Sequence, residues 1–192
     1  VDQKENMSEK HNNKNVPKAS AIRLGTPMQL LIIFGAIFII TLVISVGLWC
    51  VTFAHKIPAV KIVCSNNLTG LARAMTVYAN DDPLGKYPKP NEWCDLLLAA
   101  DLISEKMLRC PGSKAKKGQS SYAMNKNLIG MKASEVSGDV VLLFETYPGW
   151  NQSGGLEILT TEYHSGQGCN VVYPNRQVET VKKNKVDLLK WE

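Results

Sequence analysis

At 192 residues with 20% charged side chains, the chain carries a net charge of +5, made of +2 before residue 28 (five Lys/Arg against three Asp/Glu) and +3 after residue 54 (17 against 14). Its nearest approach to a basic cluster, Lys114, Lys116 and Lys117, lies in a Gly- and Ser-containing stretch without interleaved aromatics; that is a solvated loop, and nucleic acid is not an expected partner. The five cysteines include no C-x-x-C pair and have only one histidine near them, a pattern that argues against zinc, haem and thioredoxin-like chemistry.

Residues 1–27 are polar, rich in Asn, Lys and Glu, and too poor in large apolar groups to form a core. They are expected to serve as a docking segment held by a partner. From Met28 to Ala54 no Asp, Glu, Lys, Arg or His interrupts a run of Leu, Ile, Val and Phe. A bilayer core needs about 20 apolar residues in a helix, so residues 28–54 predict a transmembrane helix. A signal-peptide apolar region is only about 7–15 residues and precedes a small-x-small cleavage site. The greater length here, and the lack of such a site, favour an uncleaved anchor. Lys14, Lys18 and Arg23 on one flank outnumber Lys56 and Lys61 on the other, which predicts a cytoplasmic N-terminus and an extracytoplasmic C-terminal domain, periplasmic or equivalent.

Residues 55–192 suffice for one compact domain. Cys50 falls in the span, while Cys64, Cys94, Cys110 and Cys169 lie in this domain, an even number that fits two disulfides in an oxidising compartment. Four cysteines allow three pairings, which spacing alone does not separate. After an expected kink at Pro58, Cys64, Leu68, Leu71, Ala72, Met75 and Ala79 recur at helical intervals and form one apolar stripe. Asn80-Asp81-Asp82-Pro83 with Gly85 ends that helix. A second helix is predicted from Asn91 as N-cap to Met107, with Trp93, Leu96, Leu97, Ala100 and Ile103 on one face and Cys110-Pro111-Gly112 as its stop. Beyond residue 120 the pattern becomes strand-like. Strands are expected over 140–146 and 156–159, and 170–173 with 177–181 form a hairpin in which Asn175 takes a positive φ. Helices first and antiparallel strands last give an α+β domain on a membrane stalk.

Several strings in this layout resemble bacterial type II secretion pseudopilins and, more closely, prepilin-like proteins whose C-terminal hairpin carries an Asp-Gly-His turn. They are Cys64-Ser65-Asn66-Asn67-Leu68, Ala74, Tyr78-Ala79-Asn80-Asp81, Gly85-Lys86-Tyr87-Pro88, Trp93, Cys110-Pro111, Ser121-Tyr122-Ala123-Met124-Asn125, Val141-Leu142-Leu143-Phe144-Glu145, His164, Gly168 and Asn170-Val171-Val172-Tyr173. The resemblance covers Cys64 to about Val181 and implies a pilin-like domain of helices packed on a small antiparallel sheet. Two departures stand against polymerisation. Gly25-Thr26-Pro27-Met28-Gln29-Leu30 replaces the prepilin peptidase site and its acidic residue, and Asn175-Arg176-Gln177, with one extra residue after His164, replaces the Asp-Gly-His turn. Because Cys64 and Cys110 occupy positions that are cysteines in many such sequences, the resemblance implies the pairs Cys64–Cys110 and Cys94–Cys169. It also raises Asp81 and Asp82 as calcium ligands, although their spacing is not that of an EF-hand and such strings commonly make turns.

Catalytic constellations are lacking. His164 would need a thiolate partner, for which Cys169 is the one candidate, and is expected instead to make a structural hydrogen bond from a loop. Glu145 and Asp139 read as edge and turn carboxylates rather than an acid/base pair. Trp150, in the Gly149-Trp150-Asn151 loop, and Trp191 are interface candidates. The two Asn-x-Ser/Thr matches at Asn67 and Asn151 carry no weight in a bacterial-looking chain. The expected function is a non-catalytic, single-pass accessory or scaffold subunit of a larger membrane complex. It would have other membrane subunits and the bilayer as partners, and neither a cofactor nor a small-molecule substrate. The alternatives are a pseudopilin of a secretion or pilus-like filament and, least supported, a membrane-anchored redox or hydrolytic protein.

Overall fold

The structure, a computed structural model, describes residues 26–192 apart from the side chains of residues 53–58. The expected docking tail therefore falls, up to residue 25, outside the described residues. Helix α1 spans Pro27–Asp81 and remains helical at Pro58, so the two predicted helices are one element. Contacts divide the chain into two units within this helix, between Gly47 and Leu48.

The segment Pro27–Thr52 is one helix of 26 residues, long and apolar enough to cross a membrane, and none of its apolar window is buried. Its hydroxyls are satisfied within the helix. Thr41, Ser45 and Thr52 each donate to the carbonyl three residues earlier, at Phe38, Leu42 and Trp49, all at 2.9 Å. That arrangement removes the cost of an unpaired hydroxyl in an apolar medium.

In the second unit the predicted stripe is the buried face of α1: Cys64, Leu68, Leu71, Ala72, Met75 and Ala79 are all at most 1% exposed. Each fully buried Leu contributes about 1.5–3 kcal/mol of transfer free energy. Helix α2 spans only Trp93–Ala99, well short of the predicted end at Met107. Asp101 stops it with a left-handed φ of 56°. Its amide donates to the Leu98 carbonyl and that of Leu102 to the Leu97 carbonyl, both at 3.0 Å. This is a Schellman closure in which Asp occupies the place that Gly normally takes. Asp101→Gly is accordingly expected to stabilise the domain by about 0.5–1 kcal/mol and Asp101→Val to weaken it by about 1–2 kcal/mol, read from denaturant midpoints of the detergent-solubilised protein. The α2 N-cap also differs from expectation. Glu92, not Asn91, holds the position without a side-chain bond, and the distant Asn151 Oδ1 accepts from the Cys94 amide at 2.8 Å.

Five strands follow: β1 Ser120–Asn125, β2 Leu143–Gly149, β3 Ser153–Gly154, β4 Cys169–Val172 and β5 Val178–Val181. They form one sheet in the order β3-β1-β2-β4-β5, antiparallel except for the β1/β3 pair, which is parallel. The sheet is thus mixed rather than purely antiparallel as expected. β2 begins three residues later than predicted, and the expected strand at 156–159 is instead a 3₁₀ turn at Leu156–Ile158. The β4–β5 hairpin forms as predicted, but Arg176 carries the positive φ, at 68°, while the Asn175 side chain accepts from the Gln177 amide.

Strand alternation gives the sheet two covered faces. Tyr122, Met124, Leu143 and Val172 pack against α1 and α2. Ala123, Phe144, Cys169, Val171 and Val181 pack instead against Val186, Leu189 and Trp191 of the C-terminal segment, a second layer that the sequence reading did not assign.

Candidate functional site

β2 is the central strand, paired with β1 on one side and β4 on the other, and Glu145 stands opposite Tyr122. By alternation Glu145 shares a face with Leu143, toward the helices, and it is fully buried. The expectation of an edge carboxylate is therefore corrected: the strand extends to Gly149 and leaves Glu145 well inside the sheet. Asp139 does sit on the surface, bonded to Lys190 and Ser137, contacts that hold its carboxyl below the usual range.

Three N–H donors converge on the Glu145 carboxylate. The Asn170 amide donates to Oε2 at 2.8 Å, the Asn170 side-chain amide to Oε1 at 3.1 Å, and His164 Nε2 lies 2.9 Å from Oε1. Thr180 donates its hydroxyl to Asn170 Oδ1 at 2.7 Å, which fixes the amide orientation and turns its NH₂ toward Glu145. In a neutral imidazole the proton then belongs on Nε2. Among the described residues, Nδ1 is buried without a hydrogen-bond partner. His164 thus makes the structural hydrogen bond expected of it, with a partner that sequence did not reveal.

The backbone pays for this placement. His164 and Ser165 have φ values of 56° and 64°, and Gly166 and Gly168 continue the unusual path at 72° and 139°. A Cβ on Gly168 would lie 2.1 Å from the Val181 carbonyl oxygen, so only glycine passes there. Tyr163, just before this turn, donates to the Thr146 carbonyl at 2.7 Å. Burial raises the hydroxyl pKa values of Tyr122 and Tyr163 above the ordinary 10.0. The unfolded chain ionises first, so the stability they support is complete below about pH 10 and is lost as pH rises beyond it. An alkaline titration followed by circular dichroism should show cooperative unfolding, delayed in Tyr122→Phe.

Beside this network lies the Cys64–Cys110 disulfide, which ties α1 to the segment before β1. Cys110 Sγ is 4.0 Å from His164 Nε2 and 3.4 Å from the Gly112 amide, which points an N–H at the sulfur. The Cys110 amide donates to Ser121 Oγ at 3.1 Å. Because the Ser113 hydroxyl donates to the Cys110 carbonyl, the short Ser113–Ser121 contact takes its proton from Ser121.

The second implied disulfide is corrected. Cys94 and Cys169 are free. Cys94 packs in the helix-side core and Cys169 on the opposite sheet face, so the sheet separates them. Burial pushes both thiols up to about 12, and Cys169 is therefore a protonated thiol at neutral pH, on the face away from Glu145.

Most of the remaining candidates have structural partners. Asp82 Oδ2 accepts from the amides of Leu84 and Lys86, both at 3.0 Å, and closes the turn after α1, while Asp81 is exposed. Trp150 is half-buried and donates to Asp95 Oδ1 at 2.9 Å. Trp191 packs its ring edge-on to Phe144 at 5.0 Å, and its carbonyl accepts from Asn125 and Asn127. Both Trp residues are half-buried. Asn67 and Asn151 are likewise engaged, with the Arg109 carbonyl and with Asp95.

The fold and network define an α+β domain that carries a membrane-length apolar helix and a buried carboxylate–imidazole brace. No protein-family model, curated protein or solved structure matches the chain.

Proposed function

We propose that this chain is a single-pass, membrane-anchored accessory or scaffold subunit of a larger membrane complex, non-catalytic and with a pilin-like outer domain. The observation that carries the reading is the bare apolar segment Pro27–Thr52 joined to a folded domain in which Glu145 and His164 are closed off, their side chains 0% and 1% exposed. A general acid or base must reach its substrate, and among the described residues this pair faces only protein. The disulfide is compatible with an oxidising compartment, in keeping with an extracytoplasmic domain. Extraction in mild detergent and identification of co-purifying chains tests the proposal: a stoichiometric membrane partner is expected, and recovery as a monomer overturns it.

The single helix Pro27–Asp81, apolar at its start and packed on the domain core at its end, favours a second reading as a filament-forming pseudopilin. N-terminal sequencing that found cleavage after Gly25 and a methylated new terminus would promote that reading over the first.

A further inference from the structure

The side chains of Cys64, Cys110, Glu145 and His164 offer one ligand atom each, all within 4.8 Å of one another and all buried. We propose that the folded chain with Cys64 and Cys110 in the thiol form binds one divalent transition-metal ion, zinc by preference, through these four side chains. A tetrahedral zinc site with bonds of about 2.0–2.3 Å spaces its ligand atoms about 3.3–3.8 Å apart. Cys110 Sγ and Glu145 Oε1 already stand 4.0 Å and 2.9 Å from His164 Nε2, on either side of that spacing, and opening the Sγ–Sγ bond lets Cys64 Sγ part from Cys110 Sγ toward it.

Two features fit the thiolate form. The Gly112 amide aimed at Cys110 Sγ supplies an N–H···S bond, which stabilises a metal-bound thiolate. Charge also balances. A dication offsets two thiolates, so metal and thiolates together add no net charge beside Glu145 and His164. His164 would pass its proton from Nε2 to Nδ1, exchanging an orphaned acceptor for an orphaned donor.

The chemistry needs a reductant only where the bond has already formed. A dithiol opens the Sγ–Sγ bond by exchange, giving up two electrons and two protons and leaving as its cyclic disulfide. Cys64 and Cys110 become thiols, and metal binding then releases both of their protons to solvent. The inference concerns a redox state and does not rest on the membrane-complex reading.

The test uses the full chain in detergent, reduced with a dithiol, desalted under argon and titrated with Co²⁺ alone, then with Zn²⁺. One Co²⁺ per chain is expected, with tetrahedral visible bands and thiolate charge transfer that Zn²⁺ abolishes; the disulfide form should show neither. Glu145→Gln and His164→Ala should each weaken binding about tenfold or more. Metal should also slow alkylation of Cys64 and Cys110, mapped by mass spectrometry, without protecting Cys50, a readout that needs no variant. The proposal is overturned if the reduced chain, folded or not, takes up no metal beyond that of the oxidised form. Affinity undiminished in the Cys64→Ser/Cys110→Ser variant would overturn it equally.

Discussion

Glu145→Ala is expected to destabilise the folded domain by about 3–5 kcal/mol, because three buried donors lose their acceptor at about 1–3 kcal/mol apiece. The truncation leaves two Asn170 donors and the His164 Nε2–H facing a cavity with no acceptor. Glu145→Gln should cost less, about 1–3 kcal/mol, because one acceptor oxygen survives while an NH₂ turns toward a donor. Replacing both sides of the contact, as in Glu145→Met/His164→Phe, should fall well below the sum of the single changes, since the orphaned donor goes with its acceptor. Urea unfolding of the detergent-solubilised chain measures all three. A loss below about 1 kcal/mol for Glu145→Ala would show that water replaces the carboxylate and that the brace is not structural.

The second large effect belongs to the disulfide. Cys64 and Cys110 are 46 residues apart, and closing a loop of that length removes about 4 kcal/mol of chain entropy from the unfolded state. Cys64→Ser/Cys110→Ser should lower stability by about that amount, whereas Cys169→Ala should lose only the packing of one small side chain. Alkylation of the denatured, unreduced protein should label Cys50, Cys94 and Cys169 and spare Cys64 and Cys110. Protection of Cys94 and Cys169 as well would restore the two-disulfide scheme.

The legible parts of the fold were those with a local period. The α1 stripe follows from three- and four-residue spacing, and the apolar span from uninterrupted composition. The buried network was not legible, because its members lie on β2, β4, β5 and the turn after Tyr163, and only the strand order brings them together. Alternation would put Glu145 on the Leu143 face, but whether that face is wet depends on β2 being central. The left-handed His164 has one sequence signal, Gly166 and Gly168 just after it, which mark backbone that other residues avoid. Cys94 and Cys169 misled for a related reason: an even cysteine count says nothing about which sheet face each side chain occupies. The Trp150 loop is held against α2 for a cause equally invisible locally, since it caps and braces the N-terminus of that helix through Asn151.

Both half-cystines precede every strand, for Cys110 comes ten residues before Ser120, where β1 begins. During synthesis the covalent loop enclosing the end of α1 and all of α2 can therefore close while the sheet does not yet exist. A chain that emerges N-terminus first would dock its strands one after another onto a helical layer already locked. Glu145 and His164, delivered later, would then meet a finished wall.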